Sequence, residues 1–399
     1  MKYRHFLLVF LISSFFACSS SNNSEDFKTE NTPIELSFEL VDSLSIDILG
    51  NPVMSSVNES GSLFSFYDFS SSEILVIDSK GTILNRFSKT EDTPDSYGFM
   101  LDFPVIWGTD RLIQIGMNGV FIFDLEGNMI KKIPHPEPIG GAASMHIVGK
   151  SSKIAKLKGQ EFLLMKSSRS RDTFAGEQKF YDTYNALDLL NTETGEMTEL
   201  GPFEPESKFL DGKGYIQSDY APAFSAEDNK LYLSHGSEPK MYVYELFETN
   251  ASLDTTISLI IPDFFEVEGK DRSEFSKGGV SVSIANAAIR NIFVQNGKIF
   301  IHYDPGVDPI LMEEARAFFR QGKRDEGNAI YKKASSKSIP GILVYDESSL
   351  ELLGKINFPT GTNTGGFMAD KEFLYFQRSP DPDIEEDFLR IYKMKIVAK

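Results

Sequence analysis

The chain has 399 residues, 41% of them hydrophobic and 12% aromatic, which is enough apolar mass for a large core and excludes both a disordered chain and a small staple-dependent domain. A single cysteine excludes a disulfide framework and a Cys-rich zinc site. The 40 Lys and Arg against 58 Asp and Glu leave a formal charge of −18, which argues against nonspecific nucleic-acid binding, since that needs clustered cations in excess.

Residues 1–17 carry Lys2 and Arg4, then an apolar run from Phe6 through Ile12, and end on the small Ala17. A charged start, an apolar stretch of this length and a small residue at the cut describe a secretory signal too short to span a bilayer. Phe15-Phe16-Ala17-Cys18 resembles a bacterial lipobox, with Phe at the usual Leu position, so Cys18 is the expected lipid attachment site. Ser19-Ser20-Ser21-Asn22-Asn23-Ser24 opens a flexible tether over residues 18–34. Ser19 after the cysteine resembles the outer-membrane sorting class. The expected location is therefore the outer membrane, by lipid anchor, on its periplasmic or its surface-exposed side.

From residue 35 onward, short β-branched and aromatic runs alternate with turn signals, the pattern of an all-β domain. One phrase recurs: an apolar strand, an acidic or Asn residue, a polar turn and a second strand. It is anchored at Asp78, Asp124, Asn191, Glu245 and Asp346, with a last, looser copy ending at Lys393. A unit of roughly 45 residues with four short strands is the size of a β-propeller blade. The wide gap between Glu245 and Asp346 holds one inner strand pair around Asn296-Gly297, a polar loop and a helical stretch, so it is one blade with two insertions. The last blade runs out of chain at Lys399, and the alternating segment 35–49 has no partner of its own. Six blades over residues 35–399, closed by that N-terminal strand, are the predicted fold.

In a propeller the A–B and C–D turns share one end, and the B–C and D–A connections share the other. The long segments all fall in the second class: 167–179, 305–338 and 379–387 after B strands, and 89–98, 134–144, 202–214 and 262–281 between blades. Loops on a rigid scaffold are where binding concentrates, so this long-loop face is the expected contact surface. Within it, residues 309–337 predict two short helices about Gly322-Lys323-Arg324, a small helical insertion in blade five.

No Gly-rich nucleotide loop, Gly-x-Ser-x-Gly elbow or His-Glu-x-x-His helix is present. Beyond the signal, the histidines are His135, His146, His235 and His302. His235 and His302 fall near the long-loop ends of neighbouring B strands, with Asp304 just beyond, but aligned by hairpin they point to opposite faces of their blades. Asp102, Asp219, Asn286 and Asn363 precede or enter innermost strands, where oxygen ligands suit Ca²⁺, although Asp and Asn are also ordinary residues of turns. Arg169 and Arg171 form a basic loop suited to an anionic ligand, and Tyr375, near the end of a B strand, is suited to stacking on a sugar ring. The candidate binding set is Arg169, Arg171, Asp219, His302, Asp304 and Tyr375, with no catalytic residue and no firm metal ligand.

The lipobox, the Ser/Asn tether and blades such as 184–200 followed by Gly201-Pro202-Phe203 together resemble the six-bladed propeller lipoproteins of Bacteroidetes known as the DUF4221 family. The resemblance covers nearly the whole mature chain and implies a TolB-like propeller in the cell envelope. It brings no functional residues with it. The expected function is binding of a small ligand or a protein partner in the envelope, without catalysis or a required cofactor. The alternative is a calcium-dependent hydrolase of lactonase type with its metal in the central channel.

Overall fold

The computed structural model describes residues 35–139, 152–279, 281–365, 367–380 and 387–398. Cys18 and His146 lie outside them. Six four-stranded antiparallel sheets form the blades of a β-propeller. Blade one is β2 (Val53–Val57), β3 (Leu63–Asp68), β4 (Glu73–Asp78) and β5 (Ile83–Phe87). Blade two is β6 (Val105–Trp107), β7 (Arg111–Gly116), β8 (Gly119–Asp124) and β9 (Met129–Ile133). Blade three is β10 (Lys153–Leu157), β11 (Gln160–Lys166), β12 (Asn185–Asn191) and β13 (Met197–Pro202). Blade four is β14 (Pro222–Glu227), β15 (Lys230–His235), β16 (Lys240–Leu246) and β17 (Ala251–Ser258). Blade five is β18 (Ala288–Gln295), β19 (Lys298–Asp304), β20 (Gly341–Asp346) and β21 (Leu352–Asn357).

Blade six has β22 (Met368–Ala369), β23 (Leu374–Gln377) and β24 (Phe388–Ala398) from the C-terminus, and its outer strand is β1 (Leu36–Asp47) from the N-terminus. The pairing runs from Leu36 opposite Ala398 to Asp47 opposite Phe388, with one register shift between Leu40 and Asp42. Ring closure by the N-terminal strand therefore stands as predicted, and it covers the edge that β24 would otherwise present.

The recurring phrase has a local cause. At the end of β4, Asp78 Oδ1 accepts from the backbone N–H groups of Lys80 and Thr82, each at 2.8 Å. Asn191 does the same for Glu193 and Thr194, and Asp346 for Ser348 and Ser349. An acceptor two residues ahead of free amides closes a tight turn, which is why Asp or Asn recurs there. The Ser348 hydroxyl and these amides hold the Asp346 carboxyl down at about 2. The middle strands are apolar without alternation because each blade is covered on both faces: Ile74, Leu75, Val76 and Ile77 are all buried.

Two short helices, α1 (Gln178–Thr183) and α2 (Gln217–Tyr220), lie in connections of the long-loop end, and the insertion in blade five is α3 (Pro309–Arg320) and α4 (Arg324–Ser335). Asp308 caps α3, accepting from the N–H groups of Ile310 and Leu311, and Pro309 occupies the first turn. Gly327 lets the two helices approach, since a Cβ there would meet the Phe319 ring at 2.5 Å.

Candidate functional site

The short-turn end carries the cavity. Its A–B turns are tight, and two of them bring their own acceptor: Asn58 Oδ1 takes the N–H groups of Ser62 and Leu63, and Asp370 Oδ1 takes those of Glu372 and Phe373. The turn of blade one packs directly on that of blade six, for a Cβ on Gly61 would lie 2.1 Å from Asp370 Oδ2. With nothing longer projecting, the six inner strands end around an open cavity of about 740 Å³, lined by residues from β2, β6, β10, β14, β18 and β22.

Its walls are mixed. Val57, Ile106, Trp107, Phe293 and Met368 give apolar surface. Lys153, the first residue of β10, sets its Nζ 3.9 Å from the centre of the Phe293 ring. Burial pushes this amine down to about 7, and the nearby Asp102 carboxylate works against that shift. Asp102 is already committed: it pairs with Lys166 Nζ at 3.1 Å and accepts from the Ser152 hydroxyl at 2.7 Å. Lys153 itself has no ion pair among the described residues.

The rim is charged. Glu59 accepts from Lys156 at 2.7 Å and pairs with Lys371 at 3.0 Å. Burial opposes its ionisation, and the two lysines outweigh burial to hold it below the usual carboxylate range. Across the mouth, burial together with the like charges of Asp228 and Glu347 raises Glu227. Trp107 is held by its indole N–H, which donates to Glu161 at 2.7 Å, while Arg111 lies 3.8 Å over its ring.

The residues expected from sequence lie elsewhere and fall into separate groups. Arg169 pairs with Asp188 at 2.8 Å, and Arg171 bonds Glu199, the Ser167 hydroxyl and the Asn185 carbonyl. Burial raises Asp188, with Arg169 opposing. Asp219 and Asn286 meet each other, the amide donating at 2.7 Å. Asn363 accepts from the Gly365 N–H and donates its own N–H to the Gln377 carbonyl. Among the described residues, no group of three or more His, Cys, Asp or Glu side chains is placed to hold a metal ion.

His235 and His302 do face opposite sides of their blades. His235 packs among Tyr184, Phe203 and Tyr242, with ring centres 5.2–5.9 Å away, and burial pushes it down to about 4. His302 lies against Phe358 at 4.7 Å. His135 bonds the Gly116 carbonyl. Asp304 pairs with Arg290 at 3.3 Å and accepts from Gly306 N–H, tying the start of the helical insertion. Tyr375 is buried, donating to Asp370 at 2.6 Å against the Phe64 ring. It braces the cavity rim from behind.

Lys153, Phe293 and Trp107 were not singled out from sequence. A signal for the first exists: β10 reads Lys153-Ile154-Ala155-Lys156-Leu157, placing two cations on an inner strand of an acidic chain.

No family model and no curated protein sequence matches the chain. Solved structures do. A member of the DUF4221 family from Bacteroides vulgatus aligns with a TM-score of 0.62 at 12% identity, covering 92% of this chain and 100% of that one. The chain shares that protein's fold. A putative exported protein from Bacteroides fragilis aligns with a TM-score of 0.50 at 12% identity, over 93% of this chain and 96% of its own. The six-bladed architecture and the DUF4221 resemblance are thus met by a solved relative in fold.

Proposed function

We propose that this chain is a non-catalytic binding protein of the bacterial cell envelope, tethered through lipid on Cys18, that holds a small ligand in its central channel. The observation that carries the reading is the cavity of about 740 Å³ bounded by all six inner strands, within the roughly 300–1,000 Å³ range of small-molecule sites. The lipobox-like start and the exported relative in fold support the envelope location. The site lies at the short-turn end, opposite the face that loop length alone favours.

The test is to purify the protein from its host envelope, denature it and identify the released small molecules by mass spectrometry. Glu227→Trp, at the exposed end of β14 on the cavity wall, narrows the cavity and is expected to release less while keeping the parent's melting temperature. Identical release from parent and variant, or none from either, counts against the channel as the site. Palmitate labelling of the parent but not of Cys18→Ser checks the anchor.

A protein partner on the long-loop face is the second reading. It is favoured by Ile310, Phe319 and Ile339, which are 79%, 40% and 59% exposed in and beside the α3–α4 hairpin. Replacing 305–338 with a tight turn and finding envelope cross-links unchanged would remove it.

A further inference from the structure

We propose that Lys153 is a reactive amine through which the channel captures ligands bearing an aldehyde or ketone, as a reversible imine. The inference rests on the channel being the ligand site and names the chemistry that the site selects.

Three features of the geometry converge. Lys153 lines the cavity rather than the outer surface; its Nζ lies over the Phe293 ring, a contact that favours the ammonium and that the next two features oppose. Asp102, the carboxylate whose charge acts on it, is already paired with Lys166, and among the described residues no ion pair holds Lys153 as an ammonium. The apolar walls from Ile106, Trp107 and Met368 favour the neutral amine over the charged form. In keeping with this, burial brings the group to about 7, so a large share is a free base at neutral pH. The paired lysines of the rim and surface stay strongly solvated: Lys156 and Lys371 have side chains 51% and 70% exposed.

A neutral amine with its lone pair free attacks a carbonyl carbon. The C–N bond forms as the C=O π bond opens, giving a carbinolamine. Its oxygen then leaves as water together with both amine hydrogens, leaving the C=N bond of the imine. No oxidant, reductant or metal enters, and addition of water returns the carbonyl compound and the amine. An aromatic or aliphatic body would lie against Phe293 and Trp107.

The chain offers its own reporter of occupancy, because its single tryptophan is Trp107 on the cavity wall. Two probes separate binding from reaction. 4-Nitrobenzyl alcohol fills space without forming an imine, and 4-nitrobenzaldehyde does both. The expected result is saturable quenching of Trp107 by the alcohol. With the aldehyde and cyanoborohydride at pH 7, one adduct is expected to form at Lys153 at least tenfold faster than at exposed lysines such as Lys158 and Lys277, read by peptide mass. Its rate should rise through pH 7 rather than pH 10, and Lys153→Arg, checked for an unchanged melt, should lose it. Quenching by the alcohol with adducts spread evenly over surface lysines overturns the reactive amine and leaves the channel site standing. Neither quenching nor a selective adduct overturns both. A selective adduct without quenching by the alcohol supports the amine and removes the channel as a general pocket.

Discussion

The two ends of the propeller are built from the same strands and end differently. At the long-loop end, the connections after blades three and four fold onto each other. Tyr184 stacks on Phe203 at 4.0 Å, His235 fills the space beside them, and Glu238 accepts from Ser207 and Tyr242. Lys208 reaches across to the Ser237 and Val267 carbonyls. Arg169 and Arg171 are spent on Asp188 and Glu199. At the short-turn end the turns of blades one and six close on their own acceptors and reach a neighbour only through single bonds such as Asn58 to the Gly108 carbonyl, and the channel between the turns stays open. Long loops bring the side chains that fill an end; short turns leave a space. Loop length therefore reports where packing material was added, and on this chain that is not where the cavity lies.

Both ends hang on the same ring, so the largest effect comes from opening it. Removing residues 35–47 strips β24 of its outer partner and takes away Leu44 and Ile46, both buried. Lost burial of those two side chains alone costs about 4 kcal/mol, against a typical domain stability of roughly 5–15 kcal/mol. The truncated chain is expected to lose cooperative melting, followed by circular dichroism, and to aggregate through the bare edge. A truncated chain that melts within a few degrees of the parent would show that the ends do not depend on closure.

That closure was readable because it is a matter of counting: a last blade one strand short and an unpartnered alternating segment 35–49 at the other terminus. The blade period was readable because one turn chemistry repeats at the C–D hairpins of four blades, at Asp78, Asp124, Asn191 and Asp346. The α3–α4 hairpin announced itself by helical spacing about Gly322. The cavity was not readable, since its existence depends on how far six inner strands stand apart. Lys153 sits in a strand whose composition is visible, but its isolation depends on Lys166 having taken Asp102. Arg169 and Arg171 misled in the same way: a basic loop looks available until Asp188 and Glu199 arrive from β12 and β13.

Two bases, His235 packed at the long-loop end and Lys153 part-buried in the channel, separate the two regions by pH. His235 is held at about 4 by burial, below its unfolded value of roughly 6.5. Between those values the unfolded chain binds the extra proton, so stability is full above pH 6.5 and drains away as pH falls toward 4. His235→Phe keeps the aromatic packing and removes the titration. It should spare the protein a loss of about 2 kcal/mol at pH 4.5 relative to pH 7, measured by urea titration at both. An equal acid loss in parent and variant would place the acid sensitivity elsewhere.

Lys153 works in a different window. Its folded value of about 7 lies below an unfolded value of roughly 10.4, so the parent gains stability as pH rises from 7 to 10. Lys153→Met removes the cost of the charged amine and leaves an apolar chain against Phe293. Allowing for partial contact with solvent, the variant should be more stable by about 2 kcal/mol at pH 6, an advantage that shrinks to nothing by pH 10. A constant advantage across pH would mean that Met gains by packing alone and that the amine is well solvated.

The smallest effect is expected where the long-loop end is most conspicuous. In α3 and α4 only Ala315, Gly327 and Ala334 are buried, and the two helices contact chiefly each other. Their tie to the blade is the base of the hairpin, where Ser338 and Gly306 bond Asp304. Replacing 309–337 by a short turn that keeps this base should cost less than about 1 kcal/mol, read from the denaturation midpoint, and leave Trp107 quenching by 4-nitrobenzyl alcohol unchanged. Weakened quenching would couple the two ends through β19 and β20, the strands the hairpin joins, and the contrast between a filled end and an open one would become a single connected device.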